Sequence, residues 1–316
     1  MQNYFIIHSY YIGKTPVCQE LDMLDSLFHN RYNKSNSFKI EGTNMNYLQN
    51  LHTHSTYCDG NNTPRETVES AIKQGFHSIG FSGHSFMPYC DEYGMSKEGT
   101  IQYISEINEL KKEFADRIEI FLGIEADMYS AKDLPKGFDY KIGSLHFLKI
   151  DGEYVDFDLS AQDVKSIIEK HFGGDGLKYA EKYYEELSKL PQYGSFDIIG
   201  HFDLITKHCE THNFFDTDSK EYLSSAFECA KALSDKIPFF EVNTGAISRG
   251  WRTSPYPKIQ IIKELKRLGF GAVITSDCHD AKNLTCNFKE AEALLRECGF
   301  RERFILTKNG FIPVKL

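Results

Sequence analysis

The segment "NYLQNLHTH", residues 46–54, joins a β-rich run to two histidines that follow it directly. Further short runs of apolar or β-branched residues recur along the chain, at 78–82, 118–124, 139–145, 196–200, 238–243 and 272–276. Continuous runs of this kind are typical of parallel strands that are buried on both faces. The sequence therefore predicts seven parallel strands, and residues 46–52 form the first of them.

Helical patterns lie between these strand-like runs. Before the first helix, Thr63 is the expected N-cap, Pro64 the first helical residue and Glu66 the partner of Thr63 in a capping box. Gly75 is the expected stop signal, and residues 96–114 carry apolar residues at three- and four-residue spacing. The alternation of strands and helices predicts parallel βαβ units, and seven such units favour an α/β barrel over an open sheet.

Three regions lie outside this regular alternation. The connection 147–195 is too long for one helix, and an insertion after a barrel strand is usually a lid or a specificity element. The tail, residues 303–316, is expected to form a hairpin around Asn309 and Gly310. Residues 1–44 are polar and lack a clear period, so we interpret them as an N-terminal extension of unknown role.

Composition restricts the classes of partner. The 316 residues carry a formal net charge of −9, which argues against nucleic acid as a partner, because phosphate backbones attract clustered Lys and Arg. A run of about 18 apolar residues, which a membrane-spanning helix needs, is absent from the sequence. The eight cysteines are scattered and form no CxxC pair, which favours free thiols in a reducing cytoplasm. The oligomeric state stays open.

Side chains that can bind metal ions follow most of the predicted strands. In parallel barrels the chemistry is built at the carboxyl ends of the strands, where residues from different strands converge. The pairs His52/His54 and Asp277/His279 have i, i+2 spacing, which on extended backbone directs both side chains to one face. Nitrogen and oxygen ligands suit zinc, manganese or iron, and nine candidates exceed the needs of one ion. The candidates are His52, His54, Asp59, His84, Glu125, His146, His201, Asp277 and His279.

The motifs "HTH…D", "GHS", "GIEAD", "GSLHF", "GHFD", "EVNTG" and "SDCH", in this order, resemble those of the PHP (polymerase and histidinol phosphatase) family of metal-dependent phosphoesterases. The resemblance covers about residues 45–310 and is strongest to the bacterial histidinol-phosphate phosphatases of the monofunctional type. It implies a distorted seven-stranded (βα)7 barrel of the PHP type over residues 45–316, with the insertion at about 147–195.

The resemblance also implies a centre of three divalent metal ions, which would be Zn, Mn or Fe. By motif, one ion would be held by His52, His54, Glu125 and Asp277, a second by Glu125, His146 and His201, and a third by Asp59, His84 and His279. Glu125 would thus bridge the first two ions. Asp59 stands where some members of the family have a histidine, which leaves open whether the third ion is a harder metal or more loosely bound.

The implied activity is hydrolysis of L-histidinol phosphate to L-histidinol and phosphate, a step of histidine biosynthesis. Arg249 is the first candidate for binding the phosphate, because a guanidinium binds phosphate oxygens bidentately; a solvated loop arginine is the alternative. Lys207 is a second cation for the phosphate, and Ser85 offers a hydroxyl. The leaving alkoxide needs a proton or stabilisation of its charge. Asp277, His201 or a water molecule on the third ion could supply it, and the sequence does not choose among them.

Three other functions share parts of this pattern. A PHP phosphoesterase that acts on another small phosphate ester or on a nucleotide would use every one of these ligands. An amidohydrolase also begins with HxH, but it usually has eight strands and often a bridging lysine on the fourth. A non-catalytic PHP module would be expected to have lost ligands and to be fused to a larger partner.

Overall fold

The computed structural model describes residues 47–90 and 92–316, and its centre is a sheet of seven parallel strands. The strands in the described ranges are β1 (Gln49–Asn50), β2 (Ser78–Phe81), β3 (Glu119–Asp127), β4 (Tyr140–Ser144), β5 (Phe147–Ile150), β6 (Glu153–Asp156), β7 (Ile198–Ile199), β8 (Phe239–Asn243), β9 (Gly271–Thr275), β10 (Glu302–Thr307) and β11 (Gly310–Lys315). The central sheet has the order β1-β2-β3-β4-β7-β8-β9, and all its pairings are parallel.

Backbone hydrogen bonds between the segments that follow β1 and β9 nearly close this sheet into a barrel. The N–H of His54 donates to the carbonyl of Cys278, and the N–H of Cys278 donates to the carbonyl of His52, both at 2.9 Å. Thr53 and Cys278 thereby form a parallel bridge between the first and the last strand. The predicted seven-stranded α/β barrel is confirmed, and its closure lies at the carboxyl ends of the strands.

Helices separate most of the barrel strands. In the described part of the chain they are α1 (Pro64–Lys73), α2 (Lys97–Glu113), α3 (Ala161–Phe172), α4 (Gly176–Leu187), α5 (Lys220–Leu233), α6 (Gly245–Ser248), α7 (Ile259–Arg267) and α8 (Phe288–Glu297). The predicted capping box of α1 is present: the N–H of Glu66 donates to the Thr63 hydroxyl, and the N–H of Thr63 donates to the Glu66 carboxylate at 2.8 Å. Gly75 then takes a φ of 78°, which ends this helical segment.

The long connection between β4 and β7 has three parts. An antiparallel hairpin, β5–β6, comes first, and α3 and α4 follow it. Gly173 and Gly174 both have positive φ angles, 62° and 83°, which fits the predicted break between the two helices. The tyrosine-rich helix α4 buries Tyr179, Tyr183 and Tyr184 in the main core. Part of the insertion is therefore packed into the hydrophobic core and is not a separate surface loop.

The ring of Tyr140 fills the interior of the barrel. From β4 it reaches across β3 and β2, and its hydroxyl donates hydrogen bonds to the carbonyls of Leu51 and Phe81. A Cβ at Gly80 or Gly123 would lie only 2.4 or 2.2 Å from atoms of this side chain, so both positions need glycine. Because the interior is packed in this way, an active site has to lie at the strand ends.

The remaining predictions concern the tail, the cysteines and the N-terminal extension. The tail hairpin is confirmed as β10–β11, with Thr307 paired to Gly310. The seven described cysteines are free, whereas Cys18 and the predicted extension 1–44 lie outside the described residues. Among the helices of the described ranges, none is long and apolar enough to cross a membrane.

Candidate metal centre

The structure brings all nine predicted metal ligands together at the carboxyl ends of the barrel strands. Three groups of side chains there have ligand atoms that all lie within 4.8 Å of one another. The groups are His52, His54 and Asp277; His84, Glu125 and His146; and His54, Asp59, His84 and His279. His201 joins the second group, because its Nε2 lies 2.9 Å from Oε1 of Glu125.

Glu125 lies at the centre of the site and is fully buried. Its Oε1 faces the Nε2 atoms of His146 and His201, at 3.3 and 2.9 Å. Its Oε2 faces Nε2 of His52 at 3.3 Å and Nδ1 of His84 at 2.9 Å. The two oxygens thus face different histidines, which is the arrangement required of a carboxylate that bridges two ions.

Asp277 faces the histidine pair that follows β1. Its Oδ1 lies 3.2 Å from Nε2 of His54 and 3.6 Å from Nε2 of His52. The expectation that Asp277 and His279 lie on extended backbone is wrong, because Asp277 has a φ of 44°. Aspartate tolerates this left-handed conformation better than most residues, and such strain is common at functional sites. Despite the turn, both side chains reach the site, with 3.5 Å between Asp277 Oδ1 and His279 Nδ1.

The third group lies at the more exposed side of the site. Asp59, whose side chain is 33% exposed, places Oδ2 at 3.0 Å from Nε2 of His279 and at 3.8 Å from Nε2 of His84. Its Oδ1 lies 3.2 Å from Nδ1 of His54. The His54 ring therefore lies between two groups, with Nδ1 towards Asp59 and Nε2 towards Asp277. The resemblance had implied that His54 belongs to one group alone.

The electrostatics of the site keep its two central carboxylates ionised. Burial alone would raise the pKa of Glu125, but the imidazoles of His84, His52 and His146 outweigh burial and hold that pKa well below its usual value. Burial also opposes ionisation of Asp277, yet the Arg249 guanidinium and His52 keep its pKa well below the usual range. Both carboxylates are therefore ionised and face imidazoles in a buried site.

Buried polar atoms without hydrogen-bond partners show that the donor set fits a metal ion. They include Nε2 of His52, Nε2 of His54 and Oε2 of Glu125. Leaving such an atom unsatisfied usually costs about 1–3 kcal/mol of stability. A cluster of several unsatisfied atoms is therefore unfavourable unless a ligand binds between them. Imidazole nitrogens and carboxylate oxygens are the donors that zinc, manganese and iron accept in proteins.

Two supporting carboxylates were missed at the level of sequence. Glu241 on β8 is fully buried, and its Oε2 accepts a hydrogen bond from Nδ1 of His52 at 2.9 Å. Its Oε1 accepts from the backbone N–H of His201 at 2.7 Å. Asp127 at the end of β3 accepts from the N–H of His146 at 3.1 Å. The available signal was an acidic residue inside an apolar strand, as in "PFFEVN", where an unpaired carboxylate is unfavourable.

A cavity of about 810 Å³ opens from this site. Seven of the nine proposed ligands line it, all except His52 and His54, and Asp156, Asp158, Tyr93 and Trp251 are among the other lining residues. Cys58 contacts the site only through Sγ, which lies 3.5 Å from Nδ1 of His54. Such a volume suits a small organic ligand rather than a polymer.

Of the three residues expected to bind phosphate, the structure brings two to this cavity. Arg249 donates to Oδ2 of Asp277 at 2.9 Å, and its NH1 lies 2.7 Å from Nδ1 of His279. Lys207 donates to Oδ1 of Asp158 at 2.7 Å. Ser85 differs from the expectation: it is fully buried, and its hydroxyl accepts from the N–H of Asp127 at 3.2 Å. In the described part of the chain, Ser85 is not among the cavity-lining residues.

The fold and the site define a class of α/β barrels with a site rich in histidine and carboxylate at the carboxyl ends of the strands. The chain belongs to the PHP domain family, which matches residues 50–245. It is 30% identical over 270 residues to the probable histidinol-phosphatase of Deinococcus radiodurans, covering 81% of this chain and 96% of the relative. It is 26% identical over 269 residues to the histidinol-phosphatase of Bacillus subtilis, covering 78% and 98%.

A solved structure has the same fold. It is the crystal structure of a histidinol phosphate phosphatase from Lactococcus lactis, complexed with zinc, L-histidinol and phosphate. The TM-score is 0.67 at 22% sequence identity, and the match covers 84% of this chain and 99% of that chain. The likeness extends over almost the whole of the solved chain, so the barrel and its insertion form one shared architecture.

Proposed function

We propose that this chain is a metal-dependent phosphomonoesterase that hydrolyses L-histidinol phosphate to L-histidinol and phosphate. The observation that carries the proposal is the convergence of nine nitrogen and oxygen ligands on a small-molecule cavity, with Glu125 between two sets of histidines. The relatives named histidinol-phosphatase match nearly over their full lengths, which supports the same substrate here. The Lactococcus lactis complex with zinc, L-histidinol and phosphate supports both the metal and the substrate.

We assign the nine ligands to three divalent ions, Zn, Mn or Fe. The first ion is assigned to His52, His54, Glu125 and Asp277, the second to Glu125, His146 and His201, and the third to Asp59, His84 and His279. The separation of the two Glu125 oxygens supports its role as the bridge. When bound, such ions polarise phosphate oxygens and lower the pKa of an attacking water.

Other residues of the chain orient these ligands. Glu241 accepts the Nδ1 proton of His52, which leaves the Nε2 lone pair directed at the site. Asp127 accepts from the backbone of His146 and thereby fixes the turn after β4. Asp277 and His201 both line the cavity, and we propose them as the residues that hold or move the proton of the leaving group.

Arg249 is the proposed phosphate-binding residue. Its Nε is buried and has no hydrogen-bond partner in the described part of the chain, so it retains a donor for a phosphate oxygen. The guanidinium packs 4.6 Å from the ring centre of Trp251, which holds its plane at the cavity wall. Lys207 is a secondary candidate, because its ammonium already contacts Asp158 and lies 3.7 Å from the same ring centre.

We also propose that residues 45–316 form the phosphoesterase domain and that the insertion at about 147–195 supplies part of the substrate wall. Asp156 and Asp158 of this insertion line the cavity, which supports that role. The free cysteines of the described residues support our placement of the enzyme in the reducing cytoplasm.

Substrate profiling of the metal-loaded full chain tests the proposed function. We expect kcat/KM for L-histidinol phosphate to exceed that for nucleoside monophosphates and sugar phosphates by about 100-fold or more, because the cavity would contact the whole substrate. Equal rates across the panel would overturn the specific substrate, and absence of phosphatase activity with full metal content would overturn the enzyme class.

The role of Arg249 can be tested in the same assay. Arg249→Gln is expected to raise KM and to weaken inhibition by inorganic phosphate, each about 10- to 100-fold. The reason is that the substitution removes a charged hydrogen-bond donor to the phosphate. Arg65→Gln is a matched control, because Arg65 pairs with Glu113 at an exposed position and, in the described part of the chain, is not among the residues that line the cavity. An unchanged affinity for phosphate in Arg249→Gln would contradict the assignment.

A further inference from the structure

The insertion places in the cavity a carboxylate that forms no ion pair with any described residue. Asp156, the last residue of β6, lines the cavity, and no ion pair to it exists among the described residues. The neighbouring Asp158 is different, because Lys207 donates to its Oδ1 at 2.7 Å. The backbone N–H of Asp158 donates to Oδ1 of Asp156 at 2.8 Å, which fixes the orientation of this carboxylate.

The hydroxyl of Tyr93 is a second unsatisfied group in the same wall. Its Oη is buried and has no hydrogen-bond partner among the described residues, although Tyr93 lines the cavity. The ring packs edge-on against His84, with 4.8 Å between the ring centres. Asp156 and Tyr93 both line this cavity, and no hydrogen bond joins them among the described residues.

The two groups together favour one kind of ligand. Burial raises the pKa of Asp156 to about 6, as expected for a carboxylate that lacks a counter-ion. A neutral hydroxyl ligand would leave that charge without compensation. A primary ammonium carries the opposite charge and three hydrogen-bond donors, so it can pair with the carboxylate and also donate to the Tyr93 oxygen.

We propose that Asp156 is the specificity-determining residue that binds the ammonium group of the substrate, with Tyr93 as its second partner. The site then selects phosphate monoesters of amino alcohols over phosphate monoesters that carry no ammonium group. This inference rests on the proposed phosphatase function and extends it to a substrate class. Asp156 and Arg249 both line the cavity, so its wall offers opposite charges for the two charged groups of one zwitterionic ester.

Two substrates of nearly equal size test the proposal. O-phosphoethanolamine and 2-hydroxyethyl phosphate differ only in an ammonium against a hydroxyl. The measured quantity is kcat/KM for O-phosphoethanolamine divided by kcat/KM for 2-hydroxyethyl phosphate, which we call the ammonium ratio. In the metal-loaded full chain, Asp156→Asn is expected to lower this ratio about 10- to 100-fold, mainly by raising KM for O-phosphoethanolamine. The asparagine Oδ1 can still accept from the N–H of Asp158, so the fold is preserved.

Glu153→Gln is the matched control. Glu153 lies on the same strand as Asp156 and is exposed, so its substitution removes one charge from the hairpin without changing the cavity wall. The ratio should stay at the wild-type value in this variant. Tyr93→Phe should lower the ratio in the same direction as Asp156→Asn, but by a smaller factor. A ratio unchanged in Asp156→Asn, or already near one in the wild type, would overturn the proposal.

A binding measurement keeps the test independent of turnover. Trp251 is the only tryptophan of the sequence and lines the cavity, so its fluorescence can report binding of L-histidinol. We expect Asp156→Asn to raise the Kd for L-histidinol about 10- to 100-fold, and an equal Kd would refute the role of Asp156. Failure of the proposed function would look different. The wild type would then prefer an ester other than L-histidinol phosphate, while Asp156→Asn would still lower the ratio of kcat/KM for O-phosphoethanolamine to kcat/KM for 2-hydroxyethyl phosphate.

Discussion

Replacing Glu241 by glutamine should weaken metal binding, although Glu241 is not a proposed ligand. Its Oε2 accepts hydrogen bonds from Nδ1 of His52 at 2.9 Å and from the Thr275 hydroxyl at 2.8 Å. Its Oε1 accepts from the N–H of His201 at 2.7 Å and from the Asn243 amide at 2.8 Å. The carboxylate thus accepts at both oxygens, and it keeps His52 in the tautomer whose Nε2 lone pair faces the site.

Glutamine replaces one of these acceptor oxygens with an NH2 donor. At the Oε1 position the NH2 would face two donors, the N–H of His201 and the amide of Asn243. Rotating Asn243 is unfavourable, because its Oδ1 already accepts from the N–H of Gly245 at 2.8 Å. The NH2 therefore takes the Oε2 position and donates to Nδ1 of His52. That moves the imidazole proton to Nε2, where it blocks a metal ion.

The size of the effect follows from the lost orientation of His52. Removing such a partner of a ligating histidine typically weakens metal affinity 10- to 100-fold, which corresponds to about 1.4–2.8 kcal/mol. Titration of the metal-free protein in competition with a chelator measures this change, and mass spectrometry of the protein gives the stoichiometry. We expect one ion to be weakened more than the others, because His52 is a member of only one of the three groups of ligand atoms.

Glu186→Gln provides the matched control for this experiment. Glu186 on α4 is also buried and accepts hydrogen bonds from Lys182, Lys189 and Tyr129, but it lies outside the metal centre. Its substitution should leave the metal affinity unchanged. A Glu241→Gln protein that bound every ion with wild-type affinity would refute the reasoning about the His52 tautomer.

Three further predictions follow from the same structure. Glu125→Ala should abolish turnover and lower the occupancy of two ions together in metal analysis; full metal content would contradict the bridging role. Removal of metal by a chelator should lower the free energy of unfolding by about 2.7 kcal/mol per ion present at 100 times its Kd, as followed by calorimetry, and an unshifted Tm would argue against metal at this site. Thr63→Ala should reduce stability by about 1 kcal/mol in denaturant unfolding with unchanged metal content, because it removes the cap of α1; equal stability would show that the capping box contributes nothing.

Much of the fold could be predicted from the sequence because its signals are local. Apolar runs mark the strands, and Thr63 with Glu66 marks the start of α1 within a few residues of sequence. The metal-capable side chains were also found, because most of them lie at or shortly after the end of a strand and parallel strands bring their carboxyl ends together. For both features, neighbouring residues suffice to define the pattern.

The features that the sequence did not predict depend on contacts between segments that are distant in sequence. Ser85 is next to His84 in sequence, but its hydroxyl is buried and accepts a hydrogen bond from the N–H of Asp127 instead of lining the cavity. Glu241 contacts His52 across 189 positions of sequence, so only closure of the barrel shows that its carboxylate faces inwards. The φ of 44° at Asp277 likewise has no local signal, since the backbone turns there to meet side chains from β1.

The seam of the barrel connects the stability of the fold to the metal centre. The hydrogen bonds that join the first and last strands are made by the backbones of His52, His54 and Cys278. The side chains of this same seam, His52, His54 and Asp277, form one group of ligand atoms. A cation bound there would hold together the two segments whose pairing closes the sheet. Metal binding and barrel closure should therefore stabilise each other, which is why removing metal is expected to lower the stability of the whole domain rather than of one loop.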